Sequence, residues 1–170
     1  FNLGLNSAIV YNKVGSRISK VGVNDLGDII EKPVDLIDFS ISKKINETGL
    51  LLNIIDSIPP NSNLMIGNSL PIRDLDFFSS TINKNINVFQ NRGASGIDGI
   101  TSTALGICAQ SKNPTYLLTG DLSFYYDINS LLIAKQYSIP LITVLINNNG
   151  GAIFKFLPIA EYKNVFDKYF

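Results

Sequence analysis

The chain has 170 residues, enough for one ordinary domain or two small ones with a real core. Its 14 basic and 14 acidic residues cancel, which argues against a polyanion-binding protein, while 45% hydrophobic and only 16% charged content excludes disorder and points to extensive burial, partners included. Zero histidine and one cysteine, Cys108, exclude Ser-His-Asp and Cys-His nucleophiles, histidine acid–base chemistry, an internal disulfide and nearly all catalytic zinc sites, leaving carboxylates, amides, backbone groups or a borrowed cofactor.

No stretch approaches the roughly 20 apolar residues of a membrane span. The opening FNLGLNS has neither a methionine nor a signal-type apolar core, so a piece of a longer chain is expected. Up to Ser42, short apolar pieces alternate with Gly, Asn and Asp, and Lys32-Pro33 breaks any continuous element. From Asn46 the pattern is regular. Leu51, Leu52, Ile55 and Ile58 recur at helical spacing, and Pro59-Pro60 ends that helix. Leu64-Met65-Ile66 reads as a short buried strand closed by Gly67, followed by a brief helix from Pro71 to Phe78 and a strand from Ile86 to Phe89. Apolar residues at 97, 100, 104, 107 and 108 predict a helix with Cys108 on its buried face. Thr115 to Leu118 is a strand stopped at Gly120, and Phe124, Ile128, Leu131 and Leu132 predict the apolar face of one helix. Leu141 to Ile146 is a near-continuous apolar run, the pattern of a strand covered on both faces. Strands alternating with helices predict an α/β fold with a doubly wound parallel sheet and right-handed crossovers.

Ligands of such a sheet sit beyond the carboxyl ends of its strands. The polar and glycine-rich segments fall there: Gly67-Asn68-Ser69, Asn91-Arg92-Gly93, Gly120-Asp121 and Asn147-Asn148-Asn149-Gly150-Gly151. Gly120-Asp121-Leu122-Ser123 follows a strand and opens a helix, so its N–H groups and the Ser123 hydroxyl suit a phosphate. Asp121 would repel that phosphate unless a cation lay between them, and Mg²⁺ suits one carboxylate plus phosphate oxygens. Asn148 lies 27 positions after Asp121, an interval that holds one helix and one strand and returns both residues to the same rim. The Asn148 amide oxygen and the Gly150 carbonyl would complete an oxygen-only site. Taken singly, an Asp or Ser at a helix start is an ordinary cap, and an Asn/Gly cluster after a strand is an ordinary turn. Paired at this interval, they favour the cation site. No G-x-G-x-x-G follows a strand, which disfavours dinucleotide binding.

A Gly-Asp pair followed, one helix and one strand later, by Asn-Asn resembles the thiamine diphosphate binding motif. The residues running Asn91-Arg92-Gly93-Ala94-Ser95-Gly96-Ile97-Asp98-Gly99, together with Gly120 to Ser123, Asn147 to Gly151, Ile153-Phe154 and Leu157-Pro158, narrow the resemblance. They are similar to the 2-succinyl-5-enolpyruvyl-6-hydroxy-3-cyclohexene-1-carboxylate (SEPHCHC) synthases of menaquinone and phylloquinone biosynthesis. Gly67-Asn68-Ser69-Leu70 with Arg73 fits the same family, and the likeness runs from about Asn46 to Phe170.

That resemblance implies a thiamine diphosphate-dependent transferase, with Mg²⁺ or Mn²⁺ held by Asp121, Asn148 and the Gly150 carbonyl. It places Gly120, Leu122 and Ser123 near the diphosphate, Ile97 under the bent cofactor, and Ile153, Phe154 and Leu157 on an apolar wall. Ser69, Arg73 and Arg92 would meet substrate carboxylates. The implied substrates, 2-oxoglutarate and isochorismate, each carry two, which guanidinium forks grip bidentately. The implied reaction is decarboxylation of 2-oxoglutarate and transfer of the succinyl semialdehyde carbanion to isochorismate, with no nucleic acid or membrane span involved.

The family's activating glutamate comes from an amino-terminal domain of the partner subunit, so no catalytic residue is assigned here. The fragment alone is expected to be inactive, and the intact protein a homodimer or homotetramer of bacterial cytoplasm or algal plastid. Residues 1–45 are expected to be the end of a middle domain plus a linker, and residues 46–170 a cofactor domain truncated at its carboxyl end. Leu122 replaces the second glycine of the general motif but fits this family, whereas Lys155 stands where a small polar residue is commoner. Two rivals are a thiamine diphosphate carboligase or decarboxylase for pyruvate-like substrates, and a non-catalytic remnant.

Overall fold

Successive side chains of a strand point to opposite faces, so the all-apolar Leu64-Met65-Ile66 can be buried only if its sheet is covered on both sides. The computed structural model describes residues 7–12, 35–39, 47–78 and 83–169. Its elements run β1 (Ser7–Asn12), β2 (Asp35–Phe39), α1 (Glu47–Ser57), β3 (Asn63–Ile66), α2 (Leu70–Phe78), β4 (Asn87–Gln90), α3 (Ile100–Gln110), β5 (Thr115–Gly120), α4 (Asp121–Tyr126), α5 (Leu131–Gln136), β6 (Ile142–Asn147) and α6 (Lys163–Tyr169). Short 3-10 turns occupy Ile128–Ser130, Ala152–Phe156 and Pro158–Glu161. The first six residues, Arg17, Lys32-Pro33, Asn46 and Phe170 lie outside the described residues.

Both faces are covered. Leu64, Ile66, Leu118, Val144 and Ile146 pack with Leu51, Ile54 and Ile55 of α1 and Ile72 and Leu75 of α2. Met65 and Leu117 point the other way, into Ile100, Ala104, Leu105 and Cys108 of α3 with Ile139 and Leu141. α1 has no basic residue in its last turn, and Lys84 supplies one from the approach to β4. Its Nζ donates to the carbonyls of Ile55 (3.1 Å), Asp56 (2.5 Å) and Ile58 (2.8 Å), satisfying groups the helix end leaves open.

The sheet order is β2-β1-β6-β5-β3-β4. β3, β4, β5 and β6 are mutually parallel, as the strand–helix alternation predicts. β1 pairs antiparallel with β6, and β2 with β1, adding two strands from a stretch whose sequence shows no clear pattern. The chain steps from β3 outward to β4, crosses back over β3 to β5, and then continues outward the other way to β6. That reversal opens a crevice between the carboxyl ends of β3 and β5. There the Gly67 N–H donates to the Leu118 carbonyl at 2.7 Å, and a Cβ on Gly67 would lie 3.1 Å from Thr119 Oγ1 and 3.2 Å from that carbonyl.

Two expected helices differ. The stripe at 97–108 begins as a helix only at Ile100, because Gly99 adopts the left-handed φ of 70° and interrupts the turn before it. Ile97 therefore precedes α3. The single helix expected over Phe124 to Leu132 breaks at Asp127, and Leu132 is 58% exposed rather than buried. Asp127 is buried and turns inward, accepting from the Ser102 N–H (2.6 Å) and hydroxyl (2.8 Å). It caps α3, whose own N-cap Gly99 has no side chain for that role. β4 is exposed along its whole length, since it forms the sheet edge; Val88 and Phe89 are not buried as their apolar run suggests.

Candidate functional site

Four parallel strands end on one rim, which carries two clusters. At the ends of β5 and β6, Asp121 opens α4. Its Oδ1 accepts from the Leu122 N–H at 2.8 Å, and its Oδ2 from the Gly150 N–H at 2.7 Å, 29 residues further along. The return is made by three successive left-handed residues: Asn149 (φ 63°), Gly150 (φ 81°) and Gly151 (φ 51°). Glycine adopts that conformation without steric cost, whereas a Cβ at Gly150 would add strain and sit 3.6 Å from Leu122 Cδ2. The Asn147 side chain braces the turn by accepting from the Asn149 N–H at 3.0 Å. Asn148 is half-buried between them and makes contacts of its own; its Oδ1 is buried and accepts no hydrogen bond. Ser123 is buried in the first turn of α4.

The donor chemistry fits a hard divalent cation. One carboxylate, one amide oxygen and one backbone carbonyl are the oxygen ligands Mg²⁺ or Mn²⁺ takes, and three protein groups leave positions for phosphate oxygens and water. Among the described residues no group of three or more His, Cys, Asp or Glu side chains could hold a metal. A cation here would thus rely on amide, backbone and ligand oxygens beside Asp121.

The second cluster lies at the ends of β3 and β4. Ser69 adopts a left-handed φ of 79°, uncommon for a residue with a side chain, and its carbonyl accepts from Arg73 Nη1 at 2.6 Å. Arg92 Nη1 reaches Asn68 Oδ1 at 3.3 Å. Ser69, Arg73 and Arg92, singled out from sequence, are thus gathered around residues 68 and 69. Each of these contacts engages one of the five N–H donors of its guanidinium.

The apolar residues are less convergent. Ile97 is half-buried in the irregular turn before α3. Leu122 is exposed and lies beside Gly150. Ile153 and Phe154 are half-buried on the turn Ala152–Phe156, whose buried residue is Ala152, while Lys155 and Leu157 are exposed. Cys108 is buried, as its position predicts. Burial raises its thiol above its ordinary value, a hydrogen bond to Thr115 opposing the rise, so it is a poor nucleophile at neutral pH.

Sequence reasoning passes over two residues here. Asn68, noted only as part of a polar segment, is buried and bonds to three groups of the loop after β4. Asp127 gave one signal, a carboxylate inside an apolar helical stripe.

Residues 79–168 match the family model of the thiamine pyrophosphate enzyme C-terminal TPP-binding domain. The chain is 50% identical over 113 residues to the SEPHCHC synthase of Bacillus velezensis, covering 66% of this chain and 20% of that protein. It is 52% identical over 121 residues to the synthase of the same name from Desulfitobacterium hafniense (71% and 22%). With that of Listeria monocytogenes it shares 42% over 141 residues (83% and 24%). The chain therefore spans about a fifth to a quarter of the length of the curated relatives it matches. Through residues 79–168, the chain belongs to the thiamine pyrophosphate enzymes and carries their C-terminal TPP-binding domain.

Proposed function

We propose that this chain is the cofactor-binding part of a SEPHCHC synthase, a thiamine diphosphate- and Mg²⁺-dependent transferase of menaquinone or phylloquinone biosynthesis. The observation that carries the reading is the 2.7 Å contact of the Gly150 N–H with the Asp121 carboxylate, which joins the two halves of the motif on one rim. Identity of 42–52% to synthases of that name supports the same reading. We assign residues 46–170 to this domain and residues 1–45 to the end of a preceding middle domain plus linker, whose strands β1 and β2 extend the sheet of this domain beyond β6.

In this reading Asp121, Asn148 and the Gly150 carbonyl hold the cation, and the Ser123 hydroxyl meets the diphosphate with Gly120 and Leu122 beside it. Thiamine diphosphate, when bound, supplies the nucleophilic carbon and the electron sink that let a 2-oxoacid lose CO₂. Ile97 supports the cofactor from below, and Ile153, Phe154 and Leu157 exclude water from one wall. Ser69, Arg73 and Arg92 orient the carboxylates of 2-oxoglutarate and isochorismate, so that the four-carbon unit left after CO₂ loss passes to isochorismate.

A chain without histidine can do this because its residues bind, orient and shield. The activating glutamate comes from an amino-terminal domain of a partner subunit, the working form is a homodimer or homotetramer, and these 170 residues alone do not turn over. Among the described residues no helix is long and apolar enough to cross a membrane.

Calorimetry of the full-length protein with Mg²⁺ and thiamine diphosphate tests the cation site. Asp121→Ala is expected to abolish Mg²⁺-dependent binding, and unchanged binding would refute the assignment. Decarboxylation of 2-oxoglutarate in preference to pyruvate tests the substrate class, since a monocarboxylate has no need of two guanidinium forks.

A further inference from the structure

The loop joining β4 to α3 carries Arg92, yet residues 92–95 are exposed and form no helix or strand. Such a segment holds a side chain in one direction only if something stiff grips it. The grip comes from Asn68, 4% exposed, at the end of β3. Its Nδ2 donates to the Asn91 carbonyl at 3.1 Å and the Gly96 carbonyl at 2.5 Å, tying both ends of the loop to one point. Its Oδ1 accepts from Arg92 Nη1 at 3.3 Å. The chemistry admits only this orientation of the amide. Two carbonyls can only accept and a guanidinium can only donate, so the NH₂ must face the former and the oxygen the latter. Two further bonds complete the bracing: Asn91 Nδ2 donates to Thr103 Oγ1 at 3.1 Å, and Ser95 Oγ to the Arg92 carbonyl at 3.2 Å.

We propose that Asn68 is a positioning residue that aims Arg92 and thereby sets the affinity for the carboxylate substrate. This rests on the reading of Arg92 as a carboxylate-binding group. Asn68 holds the guanidinium through a neutral oxygen, which fixes its direction and leaves its charge for the substrate. An aspartate of the same shape would do the opposite, repelling both carbonyls and neutralising Arg92.

The test uses the full-length enzyme with thiamine diphosphate and Mg²⁺, comparing Asn68→Ala, Asn68→Asp, Arg92→Ala and the double variant Asn68→Ala/Arg92→Ala. Asn68→Ala and Asn68→Asp are each expected to raise KM for 2-oxoglutarate by about tenfold, the loss of one well-placed charge-assisted contact, while kcat falls far less. Thiamine diphosphate affinity by calorimetry stays close to wild type. The double variant should be no worse than Arg92→Ala, because both changes remove one interaction.

Parallel losses of kcat, KM and cofactor affinity in both Asn68 variants would overturn the proposal, since they mark a general structural defect. An unchanged KM in Asn68→Ala or Asn68→Asp beside a raised KM in Arg92→Ala would also overturn it. An unchanged KM in Arg92→Ala would instead refute the carboxylate reading. Crystal structures of the Asn68 variants then decide the positioning claim separately: a displaced Arg92 supports it, and an unmoved loop overturns it.

Discussion

Asp127 gives the sharpest test of how the fold holds its rim. Its carboxylate accepts two hydrogen bonds from one residue, the Ser102 N–H at 2.6 Å and the Ser102 hydroxyl at 2.8 Å, in a site where Asp127 is 6% exposed. Ser102 is the third residue of α3, so its N–H is one of the groups that no carbonyl of the helix can reach. In Asp127→Ala that donor is left without an acceptor. A buried hydrogen bond to a charged group contributes about 1.5–3 kcal/mol, and two bonds sharing one residue do not add fully, so about 2–4 kcal/mol is expected. Asp127→Asn keeps one acceptor oxygen, and the Ser102 hydroxyl can rotate to accept from the new NH₂, which limits the loss to about 1 kcal/mol. Native-state hydrogen exchange reads this locally, at the Ser102 amide itself. Exchange should accelerate by about thirtyfold to several hundredfold in Asp127→Ala, at 1.4 kcal/mol per factor of ten, and by less than about tenfold in Asp127→Asn. Exchange of Ser102 in Asp127→Ala within threefold of wild type would refute the capping role.

At the crevice, Gly67→Ala would push a methyl to 3.1–3.2 Å from Thr119 Oγ1, Thr119 Cα and the Leu118 carbonyl. Overpacking of this kind costs about 1–3 kcal/mol, so the denaturation midpoint should fall; an unchanged midpoint would show that β3 and β5 can separate freely there. Burial raises the pKa of the Cys108 thiol and of the Tyr116 hydroxyl above their ordinary values, Thr115 opposing the rise at Cys108. Both groups are neutral when protonated, so the unfolded chain releases these protons first. Their contribution is complete below the unfolded values, about 8.5 and 10, and is lost as pH rises through the raised folded ones. Urea midpoints should therefore fall above about pH 8.5, and Cys108→Ala should flatten the first part of that fall. An identical slope in the variant would remove Cys108 from the explanation.

Most strands of the parallel sheet were legible because each is a short apolar run ending at or just before a glycine or a polar segment, as at Gly67, Gly120 and Asn147. The meeting of Asp121 with Gly150 was legible for a topological reason: one helix and one strand bring the chain back to the same edge of a parallel sheet. Other features depend on contacts that local pattern does not encode. Asp127 interrupts a helical stripe to serve α3, 25 residues away in sequence. β1 finds its partner in β6, more than a hundred residues later, so no local periodicity announces it. Composition shows a strand at Ile86 to Phe89 but not that β4 is the exposed edge of the sheet. Asn68 stood out only as part of a polar segment because its partners belong to a different strand end.

The chain's formal charges sum to zero, and at the rim Arg73, Arg92 and Asp121 each bond to neutral partners. Arg73 donates to a backbone carbonyl and Arg92 to an amide oxygen, while Asp121 accepts from two backbone N–H groups. Dipoles fix a charged side chain in direction without cancelling its charge, whereas an ion pair would cancel it. The guanidinium pair belongs to the ends of β3 and β4 and the carboxylate to the end of β5, which is the direct neighbour of β3. The sheet order keeps them on separate strand ends, and the left-handed Gly150 brings its N–H to the Asp121 carboxylate. A rim built this way keeps positive charge at one pair of strand ends and negative charge at another, which suits the proposed pairing of a dicarboxylate with a cation-bridged diphosphate.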